Sequence, residues 1–234
     1  YATLIHVNDP GKHTITIEDP IERRVEGLNQ IQVNPRAGLT FATGLRALMR
    51  NDPDIIMVGE IRDKETAQMA VESSLTGHLV FSTIHTNDAA GAVTRLVEMG
   101  IEPFLVASTL LGVIAQRLVR RLCNFCKQPV QYTREKILEM VPDFPLDAHE
   151  EVVTIYEPAG CDECHGTGYR GRTGVYELLV VSENVRDAIL SKKHDSEIKQ
   201  IAMSEGMTTM RQDALQRVKD GVTSLREVAR VVRD

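Results

Sequence analysis

The 234-residue sequence contains no tryptophan, and phenylalanine and tyrosine bring its aromatic content to only 4%. Its core must therefore be built from Ile, Leu, Val, Met and Ala, the mix that buried parallel strands and amphipathic helices favour. Basic residues are in deficit: 27 Lys and Arg stand against 33 Asp and Glu, a formal charge of −6. That balance, with few rings for base stacking, argues against a nucleic-acid face and leaves protein or nucleotide partners. No apolar run is long enough to span a bilayer. The most apolar stretch, Phe104 to Ala115, runs into Arg117, Arg120 and Arg121 and is read as part of a buried helix over Phe104 to Leu122. No secretory leader is visible, although the chain opens on Tyr1 rather than Met, and repeats and low-complexity tracts are absent. Cysteine is scarce: four residues in two Cys-x-x-Cys pairs. Without secretory features this predicts metal rather than disulfides, and a reducing, cytoplasmic setting.

What is present alternates between strand and helix. His13 to Ile17 and Asn29 to Val33 read as strands, and Thr40 caps a helix with Phe41, Leu45, Leu48 and Met49 at helical spacing. The continuous apolar run Ile55 to Val58 suits a strand buried on both faces. Helix Lys64 to Leu75, strand Leu79 to Ile84 and helix Ala89 to Met99 follow. The pattern implies a largely parallel sheet with right-handed crossovers, an α/β architecture. From Cys123 to Gly174 the chain turns rich in Cys, Pro and Gly around a charged insert, Arg134 to Glu151, and reads as a separate metal-stapled module. After strand Val175 to Val180 the remainder is helical: Asn184 to Leu190, Ser196 to Met203, Met210 to Lys219, and a last helix opened by Ser224-x-x-Glu227 as a capping box. The expected division is 1–122, 123–174 and 175–234.

In an open parallel sheet, ligands bind outside the carboxyl ends of the strands. Asp19 and Glu22 end one expected strand and Glu60 another. Carboxylates there suit magnesium-assisted phosphoryl transfer, one holding the metal and one orienting the attacking water, while Gly59 lets a backbone approach. Taken singly, each is equally an ordinary turn residue. Arg46 and Arg50 share one helix face, and Arg62 follows Glu60 by two residues. They fit either phosphate-charge stabilisation or surface pairing with Asp52, Asp54 or Asp63. His78 and His85 bracket a strand and read either as phosphate contacts or as satisfied structural histidines. Cys123-Asn-Phe-Cys126 and Cys161-Asp-Glu-Cys164 supply four thiolates, the tetrahedral set structural zinc prefers. The apolar-poor segment between them would draw folding energy from the ion, with His165 a possible competing ligand and a redox role the alternative.

In order, these motifs resemble those of the type II/type IV secretion ATPase superfamily, particularly general secretion pathway protein E, with the type IV pilus assembly ATPases as sister family. Thr16-Ile17-Glu18-Asp19-Pro20-Ile21-Glu22 is similar to its Asp box. Asn51 through Asp63, centred on Gly59-Glu60, is similar to an atypical Walker B motif. Thr76-Gly77-His78 through Ile84-His85-Thr86-Asn87 is similar to its His box, and Ala115 through Cys123 and Gly168 through Gly174 fit as well. The resemblance implies a RecA-like P-loop NTPase core, truncated before the Walker A loop, with an inserted tetracysteine zinc module and a C-terminal helical subdomain. It implies Glu60 as the catalytic carboxylate, Glu22 and Asp19 as further essential acids, and Arg46, Arg50 and Arg62 acting between subunits. His78 and His85 complete the site, and Glu22, Glu60 and His85 contact the cofactor.

ATP and Mg2+ are the implied cofactors of a longer parent, with structural Zn2+ on Cys123, Cys126, Cys161 and Cys164. The implied assembly is a homo-hexamer on inner-membrane platform proteins, cytoplasmic and membrane-associated only through those partners, without nucleic acid. The four-cysteine module favours secretion or pilus extension over pilus retraction, and the segment Ala92 to Leu105 resembles the secretion branch, with pilus extension as the alternative. No Gly-x-x-x-x-Gly-Lys-[Ser/Thr] occurs in these residues, so this chain alone is expected to be inactive. Two other classes compete. Cys161-x-x-Cys164-x-Gly166-x-Gly168 occurs once, where the zinc-binding module of heat-shock co-chaperones needs several copies. A RecA-like DNA motor with a zinc ribbon would need a basic or aromatic strip.

Overall fold

The computed structural model describes residues 1–232. In chain order the elements are α1 (Ala2–Val7), β1 (Thr14–Glu18), β2 (Asn29–Gln32), α2 (Phe41–Leu48), β3 (Ile55–Val58), α3 (Lys64–Leu75), β4 (Leu79–Ser82), α4 (Ala89–Glu98) and α5 (Pro103–Thr109). Then come β5 (Gly112–Leu122), β6 (Gln128–Thr133), α6 (Arg134–Met140), β7 (Val152–Glu157), β8 (Tyr169–Val180), α7 (Glu183–Leu190), α8 (Asp195–Ser204), α9 (Met210–Lys219) and α10 (Leu225–Val231). Two compact units result, Tyr1–Leu111 with Val181–Ile198, and Gly112–Val180 with Lys199–Asp234.

The first unit is built on a four-stranded sheet of order β2-β1-β3-β4 in which every pairing is parallel. Burial explains the apolar runs: Ile15, Ile17, Ile55, Ile56 and Val58 are almost fully enclosed, as strands covered on both faces must be. The helices start where side chains satisfy their first amide groups. Thr40 accepts from Thr43 N–H, Asp63 from Thr66 and Asp88 from Gly91. Because the ladder is parallel, the ends of β1, β3 and β4 lie on one edge of the sheet.

The second unit holds two antiparallel ribbons, β5 with β8 and β6 with β7. The expected helix over Phe104 to Leu122 is here corrected. Helix α5 ends at Thr109, where the Ser108 and Thr109 hydroxyls bond back to the Leu105 carbonyl at 3.1 and 2.7 Å, and Gly112–Leu122 is a strand. A largely apolar stretch such as Phe104 to Ala115 does not separate helix from strand by periodicity. What decides is the cross-strand partner Tyr169–Val180, which supplies a ladder along most of β5. The strand expected at Leu79 to Ile84 stops at Ser82.

The stretch between the cysteine pairs is not apolar-poor in its setting. Its Ile137, Phe144, Val153 and Ile155 join Leu215, Val218 and Val228 of the C-terminal helices in one core. The capping box at Ser224 is half formed. Its hydroxyl accepts from Glu227 N–H, but the Glu227 carboxylate, 0% exposed, turns to Arg120 and Arg230 at 2.7 Å each. Burial alone would raise the Glu227 carboxyl, but the donors of Arg230 and Arg120 outweigh it and bring the pKa down to about 2.

The segment after α6 is strapped to α9 by charge. Arg211 meets Asp143 at 2.6 and 2.9 Å, and Lys219 Nζ meets Asp147 at 2.9 Å and Glu150 at 2.7 Å. Arg211 lowers the Asp143 carboxyl, and Lys219 lowers those of Asp147 and Glu150. For Lys219 burial works downward, yet Glu150 and Asp147 prevail and raise it. Carboxyls depressed in the folded state stabilise it above their ordinary value of about 4, and that contribution disappears as pH falls through the depressed values. The raised lysine loses its contribution only in strong alkali. The urea midpoint of the chain should therefore fall between about pH 4 and pH 2, and Lys219→Met together with Arg211→Leu should flatten that fall. An unchanged pH profile in the double variant would remove the strap from the account.

Candidate functional site

Two constellations stand out, one in each unit. The first lies at the carboxyl edge of the parallel sheet. Gly59 follows β3, donates its N–H to the Ile17 carbonyl at 2.8 Å and lies so close to β1 that an added Cβ would stand 3.2 Å from that oxygen and 3.3 Å from Glu18 Cα. This close approach brings Glu60 beside the Glu18–Asp19 end of β1. On the other side, Ile61 N–H donates to Thr83 O at 2.8 Å and the Thr83 hydroxyl to Gly59 O at 2.7 Å, which fastens the Gly59–Ile61 backbone to the segment after β4. Glu60 is largely enclosed, its side chain 13% exposed. Its Oε1 lies 2.6 Å from Arg62 and its Oε2 3.4 Å from His85 Nε2.

The structure thus brings Glu60, Arg62 and His85 into contact, with Asp19 and Glu22 on the exposed loop that leaves the neighbouring strand. It does not bring His78 there. That residue precedes β4, at the opposite end of the sheet, where its Nδ1 lies 2.7 Å from Ser73 O and 3.0 Å from Thr76 Oγ1. The contacts are those of a residue closing the turn after α3. Arg46 lies exposed on α2 and Arg50 in the turn that follows it, so the two do not share one helix. They line a groove of about 830 Å³ with Lys64, Glu65 and Gln68, Arg46 being 3.6 Å from Glu65.

Two residues escaped the reading of the sequence. Glu18 is the buried carboxylate of the acidic stretch, accepting from the Tyr1 hydroxyl, from Thr16 Oγ1 at 2.5 Å and from Gln30 Nε2 at 3.0 Å. The same Gln30 donates to Arg23 O at 2.9 Å and accepts from Val25 N–H at 2.7 Å. Glu18 therefore anchors the loop that carries Asp19 and Glu22. Its continuation of the Thr16 alternation is the one sequence signal for an inward side chain. Thr83 had no signal, because its role is a backbone contact to a residue distant in sequence.

The second constellation is the cysteine cluster. All four sulfurs lie within 4.8 Å of one another, with Cys123 to Cys161 at 3.9 Å and Cys126 and Cys161 each 3.8 Å from Cys164. A tetrahedral ion with metal–sulfur bonds of about 2.3 Å requires sulfur–sulfur edges of about 3.8 Å, so the donor set fits a four-thiolate ion. Backbone N–H groups point at the sulfurs. Gly160 donates to Cys126 at 3.3 Å, and Cys161 and Gly168 to Cys164 at 3.2 Å each, as the outer shell of a thiolate site does. Burial opposes a thiolate at Cys164 more than any other single influence. The N–H groups of Cys161 and Gly168 and the thiols of Cys161 and Cys126 together overcome it and bring the pKa down to about 6. Gly168 has φ +76° and leaves no room for a side chain, since a Cβ would lie 2.4 Å from that of Pro158. His165 stands outside the set, and the four sulfurs close the shell without it.

Residues 1–230 match the family model described as "Type II/IV secretion system protein". The chain is 50% identical over 236 residues to type II secretion system protein E of Pseudomonas aeruginosa, covering 100% of this chain and 45% of that protein. It is 51% identical over 228 residues to the type IV pilus assembly ATPase PilB of Thermus thermophilus, covering 97% of this chain and 25% of that one. It thus spans less than half the length of these curated relatives. Among solved structures, the pilus retraction motor PilT with bound ADP superposes with a TM-score of 0.69 at 28% identity, covering 98% of this chain and 55% of that one. The ATPase DotB of Legionella pneumophila gives 0.62 at 26%, covering 95% and 52%. These similarities and the parallel sheet agree on the α/β fold.

Chain purified from metal-replete cells should carry one thiolate-bound metal equivalent, and Cys164→Ser should abolish retention. Less than half an equivalent by elemental analysis would remove the metal site. Gly168→Ala should lower thermal stability by about 2 kcal/mol or more through strain and overpacking, with weakened metal retention.

Proposed function

This chain belongs to the type II/IV secretion system protein family, and from that premise we propose that it is the C-terminal ATPase region of a hexameric cytoplasmic motor. In this reading the motor couples ATP hydrolysis to pseudopilus assembly and protein export in type II secretion. The observation that carries it is Glu60, held at the carboxyl edge of a parallel sheet between Arg62 and His85 and beside the acidic loop of Asp19 and Glu22. An edge of this kind is where open α/β sheets take their ligands.

Glu60 is the carboxylate that orients the attacking water, and its contacts with Arg62 and His85 hold its two oxygens apart and fixed in direction. Asp19 and Glu22 supply oxygen ligands of the type a phosphate-bound magnesium takes. Arg62 and His85 offer donors to phosphate oxygens. Arg46 on α2 and Arg50 just after it, both exposed, serve a neighbouring subunit's nucleotide, as guanidinium groups do when they stabilise phosphoryl charge from outside. The core is RecA-like, and the four-cysteine cluster takes zinc, the ion that closed thiolate shells hold structurally. The partners are five further copies and inner-membrane platform proteins. Among the described residues no helix is long and apolar enough to cross a membrane; in this reading membrane association comes through those partners.

The second reading, a type IV pilus extension motor, draws on the 51% identity to the Thermus assembly ATPase. Introducing the full-length gene into strains lacking either the secretion or the pilus ATPase separates the two, since restored enzyme export and restored piliation are different phenotypes.

In the full-length protein, Glu60→Gln should abolish turnover, by about 100-fold or more, with nucleotide binding retained, because it removes water orientation and leaves ground-state contacts in place. Near wild-type turnover would overturn the role. The 234-residue chain alone should release no phosphate from ATP above a Glu60→Gln control, because it holds no Gly-rich loop to cradle the phosphates. Action across subunits is read by mixing full-length variants. Arg50→Ala combined with Glu60→Gln should regain activity that neither has alone, as some interfaces then unite an intact arginine with an intact glutamate. Mixtures that never exceed their components would exclude that arrangement.

A further inference from the structure

We propose that metal binding at Cys123, Cys126, Cys161 and Cys164 controls the docking of helix α10, so that loss of the ion frees the segment from Gly221 to Val231. The cysteine pairs are spliced into the strands and turns that hold this segment. Leu122, next to Cys123, donates its N–H to Val222 O at 2.9 Å. Arg120 donates its backbone N–H to Glu227 Oε1 at 3.0 Å and its guanidinium to Oε2 at 2.9 and 2.7 Å, while its carbonyl accepts from the Thr223 hydroxyl at 2.9 Å. Beside the other cysteine of that pair, Lys127 donates to Gly221 O at 2.9 Å and sits 4.6 Å over the Tyr156 ring.

The second pair reaches the same helix start. Cys123 N–H donates to Gly168 O at 2.9 Å, Gly168 N–H donates to Cys164 Sγ, and the adjoining Tyr169 places its hydroxyl 2.7 Å from Ser224 Oγ and its ring 4.0 Å from the Arg120 guanidinium. One ion holding both pairs fixes Arg120, Lys127 and Tyr169 relative to each other. Without it, the four sulfurs meet only through weak thiol contacts, and the backbone bond from Cys123 to Gly168 is left to hold the two pairs in place. Helix α10 has seven residues, too few to persist undocked, and its buried Glu227 tolerates no loss of its cationic donors. Val228 and Val232 also reach the apolar core, and whether they alone retain the helix is what the experiment decides.

The inference rests on the four-cysteine metal site and is independent of the motor reading. Hydrogen exchange is measured on the complete chain loaded with Zn2+ and after stripping by a chelator. Amides of α10 should exchange at least tenfold faster in the stripped chain while Ile55–Val58 stay unchanged. Acceleration confined to 123–126 and 161–168 would overturn the proposal. Coupling is reciprocal, so Glu227→Gln should weaken Zn2+ affinity about tenfold in competition with a chromophoric chelator, whereas Arg211→Ala, in the Asp143 pair of the same unit, should leave it unchanged. If stripping loosens β6 and β7 as well, this second measurement decides, and wild-type affinity in Glu227→Gln refutes the coupling. A chain that takes up no Zn2+ refutes the metal site itself, and that failure is visible in the stoichiometry before any exchange is measured.

Discussion

The parallel pairing of β1 with β3 is the constraint on which the candidate catalytic edge depends. Parallel strands run the same way, so residues that follow them gather on one side without further instruction. Ile17 lies opposite Val58, and the next residue on β3's side, Gly59, has no Cβ to hold the two backbones apart. Glu60 is consequently delivered next to the end of β1, where buried Glu18 holds the acidic loop from beneath. The chemistry at the tip, a carboxylate between Arg62 and His85, is a product of that register. A side chain at position 59 would have to displace the backbone of β1.

The second unit solves a different problem. Its cysteine segment and its C-terminal helices each carry too few large apolar residues for a core, and they close one only by pooling them. Around that core, charge performs the fastening: Arg120 and Arg230 on the buried Glu227, and Lys219 and Arg211 on the carboxylates after α6. A fully buried carboxylate is costly unless donors surround it. Four guanidinium hydrogen bonds and a backbone amide to Glu227 answer that cost and fix where α10 begins.

Much of this was legible from residue order. Thr40 announced a helix start through local capping chemistry, and the run Ile55–Val58 announced a strand enclosed on both sides. The two Cys-x-x-Cys pairs announced a four-sulfur site, since only the side chains and a short spacing are needed. Harder to read was the stretch from Phe104 to Leu122. A run of apolar residues satisfies helix and buried strand alike, and the partner that settles β5 lies on β8, some fifty residues onward.

The sequence by itself determined the chemical inventory: the carboxylates at strand ends, the thiolate pairs, the alternation of strand and helix, and with them the family. These depend on side-chain identity and on interactions within a few residues, which sequence order preserves. Tertiary structure alone decided which members of the inventory meet. It set His85 against Glu60 and left His78 at the far end of the sheet, and it drew Glu227 away from its own helix cap to Arg120. Both histidines flank the same strand and read alike in the sequence. The direction of a strand in a parallel sheet is a long-range property, and it sets one of them against Glu60 and makes the other the closure of a turn.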